Sequence, residues 1–77
     1  MEMNKKIGKF LKAKRKEFKF NQPVVAKYLG ISSMQYSNYE TGRSEINIGK
    51  LLKLSFLLGF QLNEISALVD MNEVNKL

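Results

Sequence analysis

The chain has 77 residues, enough for one domain whose hydrophobic core lies near the lower limit for stable folding. It contains neither Cys nor His, which excludes the usual zinc sites, thiol nucleophiles and imidazole bases, and we expect no metal or cofactor. Its net charge of +6 favours a polyanionic partner, and no apolar run approaches the ~20 residues of a membrane span, so a cytoplasmic protein is expected.

The first predicted helix spans residues 4–18 and carries most of the positive charge. Its apolar residues Ile7, Phe10, Leu11 and Phe18 fall on one stripe. Eight basic residues lie within the first nineteen positions: Lys5, Lys6, Lys9, Lys12, Lys14, Arg15, Lys16 and Lys19. They form a polyanion-binding surface, a solvated helix face or a basic amphipathic helix on a membrane surface.

The second and third predicted helices are short and are joined by only three residues. The second has Asn21 as its N-cap and Pro23 in its first turn, and it ends at Gly30. The third follows the N-cap Ser32 and ends at Gly42. A short Gly-containing turn between two short helices is typical of a helix-turn-helix.

The third helix has two chemically different sides. Tyr36 and Tyr39 are expected to face the core, as is Tyr28 of the second helix. The outward side is polar and contains Ser33, Met34, Ser37 and Asn38, with Gln35 on its flank. Amide and hydroxyl groups in this arrangement can match base edges and phosphates in a major groove.

The fourth predicted helix starts at Asn47, runs to Leu58 and is ended by Gly59. Its expected buried side comprises Ile48, Leu51, Leu52, Leu54 in part, Ser55 and Leu58. The fifth helix starts from Asn63, and residues 71–77 either extend it or form a flexible tail of the single domain 1–77. The last third of the chain also offers a candidate dimer interface: Phe60, Leu62, Ile65, Leu68 and Val69. Phe56, Phe60 and Leu62 are either core residues or part of that patch.

Four segments resemble the Cro/C1-type helix-turn-helix regulators: IGKFLKAKRK, NQPVVAKYLGIS, YSNYETGRSEI and LLKLSFLLGFQLNEI. The resemblance extends from Ile7 to Ile65. It implies an all-α, compact five-helix bundle of the lambda-repressor type with the helix-turn-helix in helices 2 and 3. It also implies a sequence-specific regulator that binds double-stranded DNA.

The resemblance assigns roles to individual positions. Gln22 matches a phosphate contact at the start of the second helix, and Arg15 and Glu40 match an internal salt bridge. The positions that match base-edge contacts are Ser33, Met34 and Asn38. Phosphate or rim contacts are expected at Gln35, Ser37, Arg43 and Ser44, and Lys27 and Lys50 are further candidates.

The chain departs from the family pattern at three positions. Ile46 stands where the family often has Pro, and Pro23 replaces a polar residue. Met34 occupies a base-reading position, where its thioether could contact a thymine methyl group.

Two classes of function follow. The first is a DNA-binding transcriptional repressor that acts as a homodimer on a palindromic operator. The second is a protein-interaction module, such as an antitoxin, that binds a partner protein through its C-terminal third. An enzyme is not expected, because the few acids are scattered and no Gly-rich phosphate loop is present.

Overall fold

The computed structural model describes residues 2–69, and every regular element within them is helical. Five α-helices follow one another with short connections: α1 (Glu2–Glu17), α2 (Gln22–Leu29), α3 (Ser33–Thr41), α4 (Ile48–Leu58) and α5 (Leu62–Ser66). The predicted all-α class and the predicted order of helices are confirmed. The predicted tail, residues 71–77, lies outside the described residues.

The predicted caps set the bounds of α2, α3 and α4. The side chains of Asn21, Ser32 and Asn47 each accept a hydrogen bond from the N–H three residues onward, at 3.0, 3.1 and 2.8 Å. The same three helices end at glycines with positive φ: Gly30 (73°), Gly42 (80°) and Gly59 (66°).

The end of α1 is formed without glycine. Lys19 has a φ of 60°, and the N–H of Phe20 donates to the carbonyl of Arg15 at 3.2 Å. Phe18 lies beyond the helix, half exposed, with its ring stacked on that of Phe20 at 6.0 Å. Its predicted place in the buried stripe of the first helix is therefore wrong.

Helix α5 begins and ends earlier than predicted. Its N-cap is Gln61 rather than Asn63, and the N–H of Gln61 donates to Glu64 Oε2 at 2.7 Å. The helix ends before Leu68 and Val69, which follow it in a turn.

The core contains residues from all five helices and from the segment before α5. Its buried apolar members are Leu11, Val25, Ala26, Leu29, Tyr36, Tyr39, Leu51, Leu54, Leu58, Phe60 and Ile65. The predictions for Tyr36 and Tyr39 are confirmed, whereas Tyr28 is half exposed and its predicted core position is wrong.

Only part of the predicted buried side of α4 is buried. Leu51, Leu54 and Leu58 recur at helical spacing and face the core, and Leu54 is completely rather than partly buried. Ile48 and Leu52 are exposed, contrary to the prediction. The helix has more apolar residues than one face can bury, so some must face outward.

The backbones of α1 and α3 lie unusually close together at Gly8. A Cβ at Gly8 would lie 2.5 Å from the carbonyl oxygen of Tyr39 and nearer still to that of Glu40. A Cβ at Gly42 would similarly meet the backbone of Lys5. Glycine at position 8 therefore sets the distance between the first helix and the helix that carries the polar face.

The region around α5 packs onto α1. The rings of Phe10 and Phe60 make an edge-to-face contact at 5.1 Å, and Ile65 is buried in the same core cluster as Phe60. Lys14 Nζ lies 5.6 Å from the centroid of Phe10 and 3.7 Å from Glu64 Oε1. These contacts use Phe60 and Ile65 within one chain.

Phe60 and Ile65 of the predicted dimer interface are buried within one chain and have almost no surface to offer a second copy. Leu62, Leu68 and Val69 keep part of their surface exposed, and their role in a dimer stays a prediction.

Candidate nucleic-acid interface

Residues 30–32 make the sharp turn between α2 and α3. Gly30 has a positive φ, and the N–H of Ile31 donates to the carbonyl of Ala26 at 3.0 Å. Ile31 packs against the core cluster, and the buried Ala26 has only a methyl group at this point of α2. Ser32 then caps α3, so this short segment has the geometry of a helix-turn-helix.

The outward side of α3 is polar, as predicted. Ser33, Met34 and Gln35 are exposed in its first turn, and Ser37 and Asn38 are half buried one turn on. The exposed first turn and the two half-buried residues form a continuous surface at the N-terminal part of the helix. This surface can offer hydroxyl, amide and thioether groups to a ligand.

Thr41 belongs to the same side, although the sequence analysis did not single it out. It is exposed and follows Asn38 by three residues, and its hydroxyl donates to the Asn38 carbonyl at 3.3 Å. The spacing of Met34, Asn38 and Thr41 could have identified it, since residues three and four apart share a helix face.

The ion pair implied by the resemblance joins α1 to the end of α3. Arg15 Nε donates to Glu40 Oε2 at 2.7 Å, and its Nη2 donates to Glu40 Oε1 at 3.1 Å. The remaining Nη1 donates to the carbonyl of Phe20 at 2.9 Å. Both side chains are nearly excluded from solvent, so the pair is a buried structural link.

Gln22 is part of the same network. Its Nε2 donates to Glu40 Oε1 at 3.0 Å, which fixes the amide at the first residue of α2. An amide nitrogen has two hydrogens, so one hydrogen and the carbonyl oxygen are left for other partners. The sequence pattern did not indicate this contact between Gln22 and Glu40.

Electrostatics keep the network charged. Burial alone would raise the pKa of Glu40, but hydrogen bonds led by those from Arg15 outweigh it and hold that pKa below its ordinary value of 4.5. The hydrogen bond to Glu40 raises the pKa of Arg15. Burial raises the pKa of the neighbouring Tyr36. The Tyr36 hydroxyl is buried and has no hydrogen-bond partner within the described residues.

The other predicted contact residues lie on α2 and in the loop after α3. The N–H groups of Arg43 and Ser44 donate to the Asn38 carbonyl at 2.9 and 3.2 Å, which holds the start of the loop against α3. Arg43 is exposed and Ser44 is half buried. Ile46, further along this loop, packs against the core cluster. Lys27, on α2, is also exposed.

The outer side of α1 is strongly basic. Lys5, Lys9, Lys12 and Lys16 are all exposed and lie at intervals of four, three and four residues, so they form one row. We call these four residues the lysine row. No ion pair to any of them is found in the part of the chain that the structure describes.

Other kinds of site have little support in residues 2–69. No cluster of acidic residues there could hold a metal ion, and no helix is long and apolar enough to cross a membrane. A pocket of about 60 Å³ lies between α1 and the loop before α4, next to Ile7, Tyr39 and Ile46. It is much smaller than the ~300 Å³ at which small-molecule sites begin.

Comparison with known proteins agrees with this geometry. A family model described as a helix-turn-helix domain matches residues 8–71. The chain is also 35% identical over 72 residues to the SPbeta prophage-derived uncharacterized HTH-type transcriptional regulator YonR of Bacillus subtilis (strain 168). That match covers 88% of this chain and 67% of the relative. Solved structures give no significant match. The chain belongs to the Cro/C1-type helix-turn-helix family.

Proposed function

We propose that this protein is a sequence-specific double-stranded DNA-binding transcriptional regulator, a repressor that acts in the cytoplasm as a homodimer on a palindromic operator. The observation that carries the proposal is the exposed polar side of α3 beside the fixed amide of Gln22. The match to a regulator of transcription supports the same activity.

In the proposed complex, α3 enters the major groove. Ser33, Met34 and Asn38 reach base edges, where an Asn amide can pair with adenine and a thioether can contact a thymine methyl group. Gln22 donates its free amide hydrogen to a phosphate on one side of the groove. The remaining phosphate and rim contacts are assigned to Gln35, Ser37, Arg43, Ser44 and Lys27.

The homodimer follows from the small size of one reading surface. One exposed helix side reads few base pairs, so two copies related by a two-fold axis supply the missing affinity. Their half-sites should be about one helical turn, ~34 Å, apart. We assign repression because occupation of a promoter requires no contact beyond those with DNA.

The test is selection from a pool of randomised duplexes at about physiological salt, where weak phosphate binding is suppressed. Recovery of a two-fold symmetric motif supports specific dimeric reading and gives the operator. If folded protein recovers no motif, the proposal fails.

A matched pair of variants then tests the placement of the reading helix. Asn38→Ala should weaken binding to the selected duplex by roughly 1–3 kcal/mol, because alanine cannot hydrogen-bond to a base edge. Asn63→Ala changes an exposed amide on α5 and should leave affinity unchanged. Equal affinity of both variants would contradict the assignment of α3 to the major groove. Repression is checked with a reporter gene under the selected operator.

A second candidate function is a protein-interaction module, such as an antitoxin. It is favoured by the apolar surface of the C-terminal third, where Phe56 is 83% exposed. The two functions are separable. On this second view the Asn38→Ala variant keeps full activity in the cell, whereas on the first it loses regulation of the operator.

A further inference from the structure

Helix α4 carries a second apolar row in addition to its buried side. Its inner side packs into the core, while Ile48, Leu52 and Phe56 lie four residues apart on the outer side. These three side chains are 62%, 41% and 83% exposed, and we call them the apolar row. The row extends over about 12 Å, given a rise of ~1.5 Å per residue.

This pattern is unusual for a surface helix. Such a helix normally has polar residues opposite its buried side, and one that is apolar all round is normally covered. Within residues 2–69 all three side chains of the apolar row remain exposed, Phe56 most of all, and leaving apolar surface in contact with water is unfavourable.

We propose that the apolar row is the homodimer interface, in which α4 of one copy packs against α4 of a second copy. The two-fold axis passes near Leu52, so that Leu52 meets Leu52 and Phe56 packs against Ile48 of the partner subunit. The same patch then serves both subunits, as a two-fold interface requires.

The distribution of charge leaves the apolar row as the face on which two copies of the chain can meet. Each copy has a net charge of +6, so two copies repel unless they meet at a face of low charge. The outer side of α1 carries the lysine row, and the polar side of α3 is assigned to DNA. Lys53 follows Leu52 by one residue and precedes Phe56 by three, so it borders the apolar row at its Phe56 end, where its long side chain can extend into solvent.

The size of the row indicates a weak dimer. Patches of this kind expose on the order of 300–600 Å². A stable interface buries about 800 Å² on each partner, so the contact belongs to the transient class. This interface rests on the proposed function, because a two-fold operator brings two copies together and supplies the remaining free energy.

The first experiment measures association without DNA. Sedimentation equilibrium of the wild type over a range of high protein concentrations should give a reversible dimer. Phe56→Lys should abolish it while leaving the circular dichroism spectrum unchanged, because Phe56 contributes little to the core. Leu62→Lys tests the rival patch of Leu62, Leu68 and Val69 that the sequence predicts, and it should leave the dimer intact if the apolar row is the interface.

The second experiment locates the two-fold axis. The chain has no Cys, so a single Leu52→Cys substitution introduces the only thiol. Helix axes 8–10 Å apart bring Cα atoms at the crossing within the ~4.4–6.8 Å that a disulfide spans. Mild oxidation of Leu52→Cys should therefore give a covalent dimer. Lys12→Cys, in the lysine row, should remain largely monomeric.

The outcomes separate this proposal from the proposed function. If the wild type stays monomeric at all concentrations, or if Leu62→Lys breaks the dimer and Phe56→Lys does not, the apolar row is not the interface. Operator selection can still succeed in either case. If the wild type instead remains monomeric but binds anionic phospholipid vesicles through Phe56, the row contacts a membrane and the dimer proposal is overturned. A dimer broken by Phe56→Lys without any selected motif supports the interface and refutes DNA reading.

Discussion

Replacement of Glu40 by Gln should remove a large part of the stability of the fold. The substitution keeps the shape of the side chain but removes the charge that Arg15 faces at 2.7 Å. The side chains of Arg15 and Glu40 are only 10% and 2% exposed, so water cannot replace the missing interaction. Breaking one partner of a buried pair costs about 3–5 kcal/mol. We expect the lower end, ~3 kcal/mol, because the Gln amide oxygen can still accept one hydrogen bond.

This loss is large in relation to the total free energy of unfolding of the domain. A domain of 77 residues has a total stability of roughly 4–12 kcal/mol at ~0.05–0.15 kcal/mol per residue. For a domain of this size, each kcal/mol of lost unfolding free energy lowers the melting temperature by ~4–8 °C. Glu40→Gln should therefore lower the melting temperature by ~12–24 °C. Urea unfolding at pH 7, followed by circular dichroism, measures the free energy directly.

The effect should also depend on pH in a definite direction. The pKa of Glu40 in the folded protein lies below its ordinary value of 4.5. The stability from this carboxylate is therefore fully present above about pH 4.5 and is lost as the pH falls through the lower, folded-state pKa. Wild type should lose stability on acidification through this range faster than Glu40→Gln, so the difference between them should shrink.

Two controls make the result interpretable. Glu17 pairs with Lys14 at 3.6 Å but is 61% exposed, so Glu17→Gln should cost less than ~1 kcal/mol. The double variant Arg15→Met with Glu40→Leu removes both charges and should be more stable than either single charge deletion. A cost for Glu40→Gln as small as that for Glu17→Gln would refute the reasoning from burial.

Three further predictions concern packing, a helix end and surface charge. Gly8→Ala should destabilise the fold by about 1–3 kcal/mol in urea unfolding, because its Cβ would overlap the backbone of α3. Gly49→Ala is the matched control, since a Cβ there would come no closer than 3.5 Å to the side chain of Asn47, and an equal destabilisation would contradict the packing argument. Lys19→Gly should stabilise by ~1 kcal/mol by relieving the positive φ, whereas Lys16→Gly, inside α1, should destabilise by ~1 kcal/mol in the same assay. Replacing all four residues of the lysine row with Gln should weaken operator binding. The slope of log Kd against log salt should fall by up to ~0.9 for each phosphate that the row no longer neutralises. An unchanged slope would identify the row as a solvated helix face.

The sequence predicted those parts of the fold that depend on local chemistry. The caps Asn21, Ser32 and Asn47 each bind a backbone N–H only three residues away, so the local sequence is enough to locate the starts of three helices. The turn at Gly30 is local in the same sense. The pair of Arg15 and Glu40, in contrast, came from the family resemblance, since nothing in local spacing connects residues 25 positions apart.

The features that the sequence did not predict depend on contacts between distant segments. Periodicity could not choose the buried side of α4, because the helix has apolar residues on both sides and its partner helix decides which side is inward. Phe60 was assigned to a dimer because its contact with Phe10 cannot be seen in the sequence. The requirement for glycine at position 8 arises from the backbone of Tyr39 and Glu40, about thirty residues later.

The buried network also explains how an acidic residue can lie beside a surface proposed to bind phosphates. Glu40 accepts hydrogen bonds from Arg15 and Gln22, so its charge is compensated within the protein. Two hydrogens of an amide point in different directions, and the one bound to Glu40 therefore fixes the direction of the other. A preorganised donor loses less conformational entropy on binding than a free side chain does. The same carboxylate thus holds α1 against α3 and orients the amide that we assign to DNA, which links the stability of the fold to the geometry of the proposed phosphate contact.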